Sequence, residues 1–500
     1  MQPTRFVSSA LFYGWPSLLL TLLGALVGAS ALSYLIVFEK YRFAIASTVT
    51  LLLIALSVVN IRMSIIGALV YLVFMGDLRR LLIPSVGWSG EDPLLLIGPV
   101  FALVVFAFAW SSQSIRIDTP LAAWMLALIV VMMLQMFNPR QGGLIVGVAG
   151  ALFYIIPLLW YWIGRTYATP SFVEQLLFYV VTPLAALSAA FGLFQIFYGF
   201  LPYQMEWYDL GGASVIGSVG TEKPMSFFSS PTEHDNFVLS GIVVLLAALL
   251  HRRQYGLLLF IIPLTAAIFL GGSRGPVAKL IVTGAGLWAV LGTNKSTWII
   301  RGGFALVLAV VGLSWSLSSI EVPATHERVE FRLERQQKGL TGATNENSSA
   351  LNHLGMMAHG FKQGVTTPLG YGLGATTRAG AKYGGLSGST EADSSDVFRS
   401  TGLVGGVIYL VILFLVIRSA VQYWGRTRSL LALCLAGVLA VNFFLWLRGG
   451  QYAVSPLIWF LIGALDRFQN MPSTGNSSSD PALPEAKASA DRVAAAPTNL

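Results

Sequence analysis

Charge is scarce in this chain. Asp, Glu, Lys and Arg together make up 11% of its 500 residues, against about 25% in an ordinary soluble domain. So few charges cannot cover the surface of one or several water-exposed cores, and a soluble multidomain protein is excluded. Cysteine occurs once, at Cys434 inside an apolar run, which excludes an intrachain disulfide and a cysteine metal site. The 55% share of hydrophobic residues excludes a disordered or fibrous chain. What is present in abundance is long apolar runs, with a mean hydropathy of +0.70. The fold class expected is therefore an all-α, polytopic integral membrane protein. Lys and Arg exceed Asp and Glu by 31 to 23, a net charge of +8; in a membrane protein that excess reads as topology, and no nucleic-acid partner is expected.

A spanning helix needs about 20 mostly apolar residues. Candidate helices fall at 16–38, 43–59, 62–75, 94–111, 120–137, 143–164, 172–198, 235–251, 256–272, 276–292, 297–317, 401–424, 429–447 and 452–467. The segment 62–75 is short and could be re-entrant, so 12–14 spans are expected. The first run lacks a clean cleavage site and reads as a helix that stays. The expected organisation is N-terminal transmembrane helices over 1–198, a first loop over 199–234, further helices over 235–317, a large loop over 318–400, C-terminal helices over 401–468 and a disordered tail over 469–500 rich in Ser, Ala, Pro and Asn. With the N-terminus in the cytoplasm, twelve Lys and Arg of the short loops fall on the cytoplasmic side and seven on the outer side, a bias of the sign the positive-inside rule expects. Both large loops then share the outer face.

Those loops hold most of the polar chemistry. Few charges fall mid-helix (Glu174 and Lys279 lie near helix ends), which favours chemistry at a membrane surface over transport through the bilayer. Gly271-Gly272-Ser273-Arg274-Gly275-Pro276 lies between two apolar helices. Its glycines let backbone approach a ligand, and Arg274 would stand at a helix N-terminus, where the dipole already favours an anion. A tight turn with a snorkelling arginine is the bland alternative. Lys223 precedes Phe227-Phe228-Ser229-Ser230-Pro231-Thr232-Glu233-His234-Asp235, which runs into a helix. Helix capping accounts for Thr232 and Asp235; Lys223, Glu233 and His234 form a fair anion-binding or acid–base set. No metal is expected, because adjacent side chains rarely converge on one ion. In the long loop, residues 321–338 alternate acids and bases like a solvated helix face, a helical stretch carries His353, and Pro368-Leu369-Gly370-Tyr371-Gly372-Leu373-Gly374 makes a glycine-rich turn without the flanking strand of a dinucleotide fold. Arg378, Glu391, Asp393, Asp396 and Arg399 follow before the chain re-enters the membrane at Gly402-Leu403-Val404-Gly405.

The order of these motifs resembles the O-antigen ligase and O-antigen polymerase superfamily: Ser-Arg-Gly between two helices, a long outer loop, Pro-Leu-Gly-x-Gly-Leu-Gly, then acids before a Gly-Leu-x-Gly re-entry. The resemblance covers roughly residues 190–465. It implies a metal-independent glycosyltransferase without cofactors in the inner membrane, which takes a glycan from an undecaprenyl-diphosphate carrier at the periplasmic face. It implies that Arg274 binds the carrier's diphosphate, and Lys223 stands near the place of a second family arginine. Ligases carry a His-Asn pair about eleven residues before the re-entry glycine. Here that position is Glu391-Ala392, and a carboxylate, Glu391 or Asp393, would accept the acceptor's proton, as fits the polymerase branch. Glu233, His234, His353, Arg378, Arg399 and Arg448 are further candidates for binding substrate, and Trp207, Tyr208, Tyr371 and Tyr383 either line a sugar path or form an interfacial belt. The function expected is polymerisation of lipid-linked oligosaccharide repeats of an O-antigen or exopolysaccharide. A ligase transferring glycan to lipid A–core, a lipid-linked glycan flippase or other transporter, and a non-catalytic assembly protein are the alternatives. The partners expected are the lipid-linked glycan and the bilayer; a chain-length regulator or export machinery stays open.

Overall fold

The structure is a computed structural model, described for residues 33, 34, 37, 39–212, 222–292, 294–319, 327–340 and 347–470. The helix expected at 16–38 and the tail expected after residue 469 lie essentially outside the described residues. Residues up to Gln469 form one contact unit; Asn470–Leu500 form a second, of which Asn470 alone is described.

The described elements are helical, with no strand among them. In chain order we label them α1 (Tyr41–Val59), α2 (Ile61–Leu81), α3 (Pro93–Ser111), α4 (Pro120–Gln135), α5 (Leu144–Tyr167), α6 (Pro170–Tyr198), α7 (Pro202–Trp207), α8 (Pro231–Arg252), α9 (Leu258–Leu270), α10 (Arg274–Val290), α11 (Lys295–Ser319), α12 (Glu327–Leu340), α13 (Asn347–Thr366), α14 (Asp393–Thr427), α15 (Leu430–Val441) and α16 (Val454–Gln469). Seven of them, α1, α2, α3, α5, α6, α8 and α14, are long and apolar enough to cross a membrane, and shorter apolar helices stand beside them. The chain is thus an all-α polytopic membrane protein.

Helix starts follow the local chemistry. Thr119, Thr169 and Ser230 each cap the helix that begins with the next residue, a proline, by accepting from the backbone N–H three residues on; a hydroxyl cap followed by proline satisfies one orphan donor and removes another. Packing is closest where glycines face each other. A side chain at Gly164 of α5 would collide with the Phe460 carbonyl, and one at Gly463 of α16 with that of Tyr161. The two backbones therefore cross in contact, the arrangement small residues allow between membrane helices.

Three elements differ from the sequence expectation. The short 62–75 segment is a full 21-residue helix, α2. It continues through the charged residues 77–80 because protein groups receive them: Arg80, 2% exposed, donates to the carbonyls of Phe228 at 2.9 Å and Ser226 at 3.1 Å. The helix expected at 429–447 stops at Val441, and 442–453 is irregular. The solvated face expected at 321–338 is also corrected: α12 buries Arg332 and Gln336.

The polar residues gather at two ends. At one, Asp466 of α16 accepts from Thr119 Oγ1, Tyr161 OH and Arg165 Nε, each at 2.8 Å. Arg165 also pairs with Asp118, which holds that carboxyl below the usual carboxylate range. Arg62, Arg252, Arg426, Arg428 and Arg467 lie here, against Phe172, Glu174, the Phe468 carbonyl, Trp424 and the Thr166 carbonyl. We call this the arginine end. The opposite, loop end carries residues 199–212, 222–230, 271–274, 327–340 and 347–400. The two long loops meet there, since Arg332 of α12 donates to the Glu222 carbonyl.

Candidate functional site

At the loop end, α9 stops at Leu270, Gly272 turns the chain at φ +78°, and Arg274 opens α10. A methyl group on Gly271 would lie 3.7 Å from Pro224 Cγ, so the turn carrying Arg274 abuts the segment carrying Lys223. Both cations are partly exposed. Helix α12 covers the junction. Arg332 bonds the Glu222 carbonyl, and one turn later Gln336 Nε2 donates to Phe269 O at 3.0 Å. Three basic side chains, Lys223, Arg274 and Arg332, thus come from three separate stretches of sequence.

The Lys223 loop is held from below. Gln195 Oε1 accepts from the N–H groups of Met225 at 3.0 Å and Ser226 at 2.8 Å. Asp77 accepts from Tyr203 OH and Gln204 Nε2, both at 3.0 Å. Burial, reinforced by the neighbouring Asp77 charge, raises the Tyr203 phenol well above its ordinary range, so this hydroxyl stays a donor.

A second set of groups comes from α8, α10, α14 and the 442–453 segment. Lys279, half-buried, donates to Asn236 Oδ1 at 3.1 Å, with the charges of Asp235, Asp393 and Arg448 close enough to act on it. Asp393 is 1% exposed; its Oδ2 accepts from Leu447 N at 2.9 Å and Tyr409 OH at 3.2 Å, and its own N–H donates to Phe444 O. Asp393 therefore fixes the segment that carries Arg448, and Arg448 acts on both Asp393 and Asp396.

Glu391 lies two residues away in the opposite setting. Its side chain is 41% exposed, and Oε2 stands 2.6 Å from Nδ1 of His353, itself 50% exposed. Helix α13 brings His353 there by packing on α14 through glycines: a side chain on Gly364 would lie 2.6 Å from Phe398 O, and one on Gly360 3.0 Å from Ser395 Cβ. The long loop folds back, and joins a histidine and a carboxylate that the sequence separates by 38 positions.

Of the remaining candidates, Glu233, His234 and Arg399 have structural partners. Glu233 is buried and accepts from Ala453 N at 2.6 Å at the start of α16. His234, also buried, faces the Ser188 carbonyl at 3.3 Å and Asp235 at 3.2 Å. Arg399 donates to the Gly388 carbonyl, and Arg378 is exposed at the start of a short helix. The two glycine motifs pack on each other: Tyr371 N donates to Arg399 O at 3.0 Å, Gly372 N to Ser400 O at 2.9 Å, and Leu403 N to Pro368 O at 3.1 Å. Their shared presence has a structural reason, because a side chain on Gly370 or Gly402 would strike the other strand of this contact. Among the described residues, no group of three or more His, Cys, Asp and Glu is placed to share a metal ion.

The structure thus brings the Lys223 segment against the Arg274 turn, His353 against Glu391, and the segment that carries Arg448 against Asp393. Glu233 and His234 it buries, each against a structural partner. Arg332, Lys279 and the part played by Asp396 escape sequence reasoning. A lone lysine six residues into an apolar helix was the one available signal for Lys279. Comparison with known proteins gives no match, either to a family model or to a curated sequence.

Proposed function

We propose that this protein is a membrane glycosyltransferase of the O-antigen polymerase type, with its loop end in the periplasm of a bacterial inner membrane. The observation that carries the reading is the pairing of two chemistries at one end of the helical bundle. The Arg274 turn, at a helix N-terminus, abuts the segment that carries Lys223, and an exposed His353–Glu391 pair lies in the adjoining long loop. Cations at a helix N-terminus suit a diphosphate leaving group. An imidazole oriented by a carboxylate suits proton abstraction from a sugar hydroxyl.

In the reaction proposed, the hydroxyl oxygen of one lipid-linked glycan forms a bond to the anomeric carbon of another. The bond from that carbon to the diphosphate oxygen breaks, and undecaprenyl diphosphate leaves with the electron pair. His353 Nε2 takes the hydroxyl proton while Glu391 holds Nδ1–H. Arg274 and Lys223 stabilise the charge that grows on the departing diphosphate. Asp393, sealed from solvent, holds the Arg448 segment.

A ligase is the second reading, favoured by one observation: His353 touches Glu391, the position at which ligases carry their histidine. Glycan analysis of a deletion strain, complemented with wild type or Arg274→Ala, separates the two. Single lipid-linked repeats without longer chains are expected. Long chains stranded on the carrier would establish the ligase instead. Repeats accumulating on the cytoplasmic face, or full rescue by Arg274→Ala, would overturn the transferase reading altogether.

A further inference from the structure

Glu391 is not a relaxed surface residue. Its φ is +67°, in the left-handed region that a non-glycine L-residue adopts only when its surroundings hold it there. Its neighbours on both sides, Thr390 and Ala392, are buried. Something must hold the chain in this turn while one side chain is thrown outward.

The group that does so is the carboxylate of Asp396, buried in the first turns of α14 at 3% exposure. Its Oδ1 accepts from Thr390 N at 2.6 Å and from Thr390 Oγ1 at 2.8 Å. Its Oδ2 accepts from Ser389 Oγ at 2.6 Å. Ser389 Oγ in turn accepts from the N–H of Glu391 at 3.0 Å, and Ser395 Oγ lies 2.5 Å from Thr390 Oγ1. Among the described residues, the hydrogen bonds that shape 389–391 lead to Asp396, directly or through one hydroxyl. No bond runs from Asp396 to His353 or to the Glu391 carboxylate.

We infer that Asp396 is a positioning residue: it locks the Ser389–Glu391 turn so that Glu391 meets His353 and holds its Nδ1. The inference rests on the acid–base role assigned to that pair. The consequence is specific, because a carboxylate on Nδ1 fixes the imidazole as the Nδ1–H tautomer and leaves Nε2 as the proton acceptor. Without the lock the turn relaxes toward ordinary backbone angles, Glu391 swings away, and His353 reverts to the mixture of tautomers of an unpartnered exposed imidazole.

The test is a ¹⁵N spectrum of the whole protein in detergent, labelled selectively at its five histidines and assigned with a His353→Gln variant. Wild type is expected to show His353 as the Nδ1–H tautomer. Glu391→Gln and Asp396→Ala are both expected to lose that signature. Asp396→Asn, which keeps an oxygen for Thr390, is expected to retain part of it. If Asp396→Ala does not fold, Ser389→Ala, a change at an exposed position, is expected to move the signature in the same direction. In glycan transfer, Asp396→Ala is expected to lower kcat by at least ten-fold with KM for the lipid-linked donor held within about two-fold, a part of the roughly hundred-fold or more that general base catalysis supplies. An unchanged His353 tautomer in Asp396→Ala and in Ser389→Ala would overturn the inference while leaving the transferase reading intact. The expected tautomer change, in a protein whose wild type transfers no glycan, would support the positioning role and refute the transferase.

Discussion

Asp393 and Glu391 are the same kind of group two residues apart, and burial gives them opposite tasks. Asp393 is enclosed and accepts from the Leu447 N–H and the Tyr409 hydroxyl. Removing it by Asp393→Ala leaves a buried donor unmatched, at a cost of about 1–3 kcal/mol. Glu391→Gln changes a group at the surface and should stay within about 0.5 kcal/mol of wild type. Thermal unfolding in detergent is expected to show a lower midpoint for Asp393→Ala and an unmoved one for Glu391→Gln, while transfer activity falls in Glu391→Gln. Equal midpoints in the two variants would contradict the division of labour. At this scale the sequence indicates which residue types carry chemistry. Arg274, Lys223 and Glu391 stand out by their motifs, and the structure puts a partner or a neighbouring segment beside each. It does not indicate which way a side chain points. Arg332 reads as one charge in an alternating run, yet its guanidinium turns inward to the Glu222 carbonyl. Asp396 reads as one of three acids, yet it organises the turn before it.

At the scale of elements, apolar length alone locates most helices. The misses share one cause: charged or irregular backbone is tolerated wherever protein rather than lipid receives it. Helix α2 runs on through Arg79 and Arg80 because carbonyls of the Lys223 loop accept from Arg80. Helix α15 stops early because Asp393 draws 444–447 out of helical pairing. Helix α14 contains Gly402 at φ +72° and ψ −163°, which divides a short first segment from the long apolar one. A side chain there would strike the Pro368 carbonyl in a conformation that favours glycine. Gly402→Ala is therefore expected to detach the 368–374 turn and to make it the first site of limited proteolysis; cleavage identical to wild type would show that the turn does not depend on this glycine. Helix α12 is docked by polar contacts at Arg332 and Gln336. Arg332→Ala should raise the rate of proteolytic cleavage within 327–340 several-fold and leave the midpoint of global unfolding almost unmoved, as measured by mass spectrometry of the fragments.

For the whole molecule, scarcity of charge decides the class and its distribution decides the plan. The residues expected on the cytoplasmic side, among them Arg62, Arg165, Arg252, Arg426, Arg428 and Arg467, gather at one end of the bundle, and the two long loops meet at the other. Sequence alone could place the loops on a common side but could not show them touching, because that contact depends on how α12 folds back. Orientation across the membrane is open to direct test, since buried Cys434 leaves a silent background for thiol labelling. Ser387→Cys, at the loop end, is expected to react with a membrane-impermeant maleimide from the periplasm, and Gln254→Cys, at the arginine end, only after the inner membrane is opened. The reverse pattern would put the site in the cytoplasm and remove it from a periplasmic donor.

The central claim is that cations at the Arg274 turn drive glycan transfer off a lipid diphosphate. Its most direct test is the purified protein mixed with a single lipid-linked repeat, with products separated by length. The account predicts a ladder of longer lipid-linked chains from wild type and a rate lower by about a hundred-fold or more for Arg274→Ala, the scale of losing one charge-stabilising donor at a developing anion. A wild type that lengthens nothing, or an Arg274→Ala variant that builds the ladder at the wild-type rate, would contradict it.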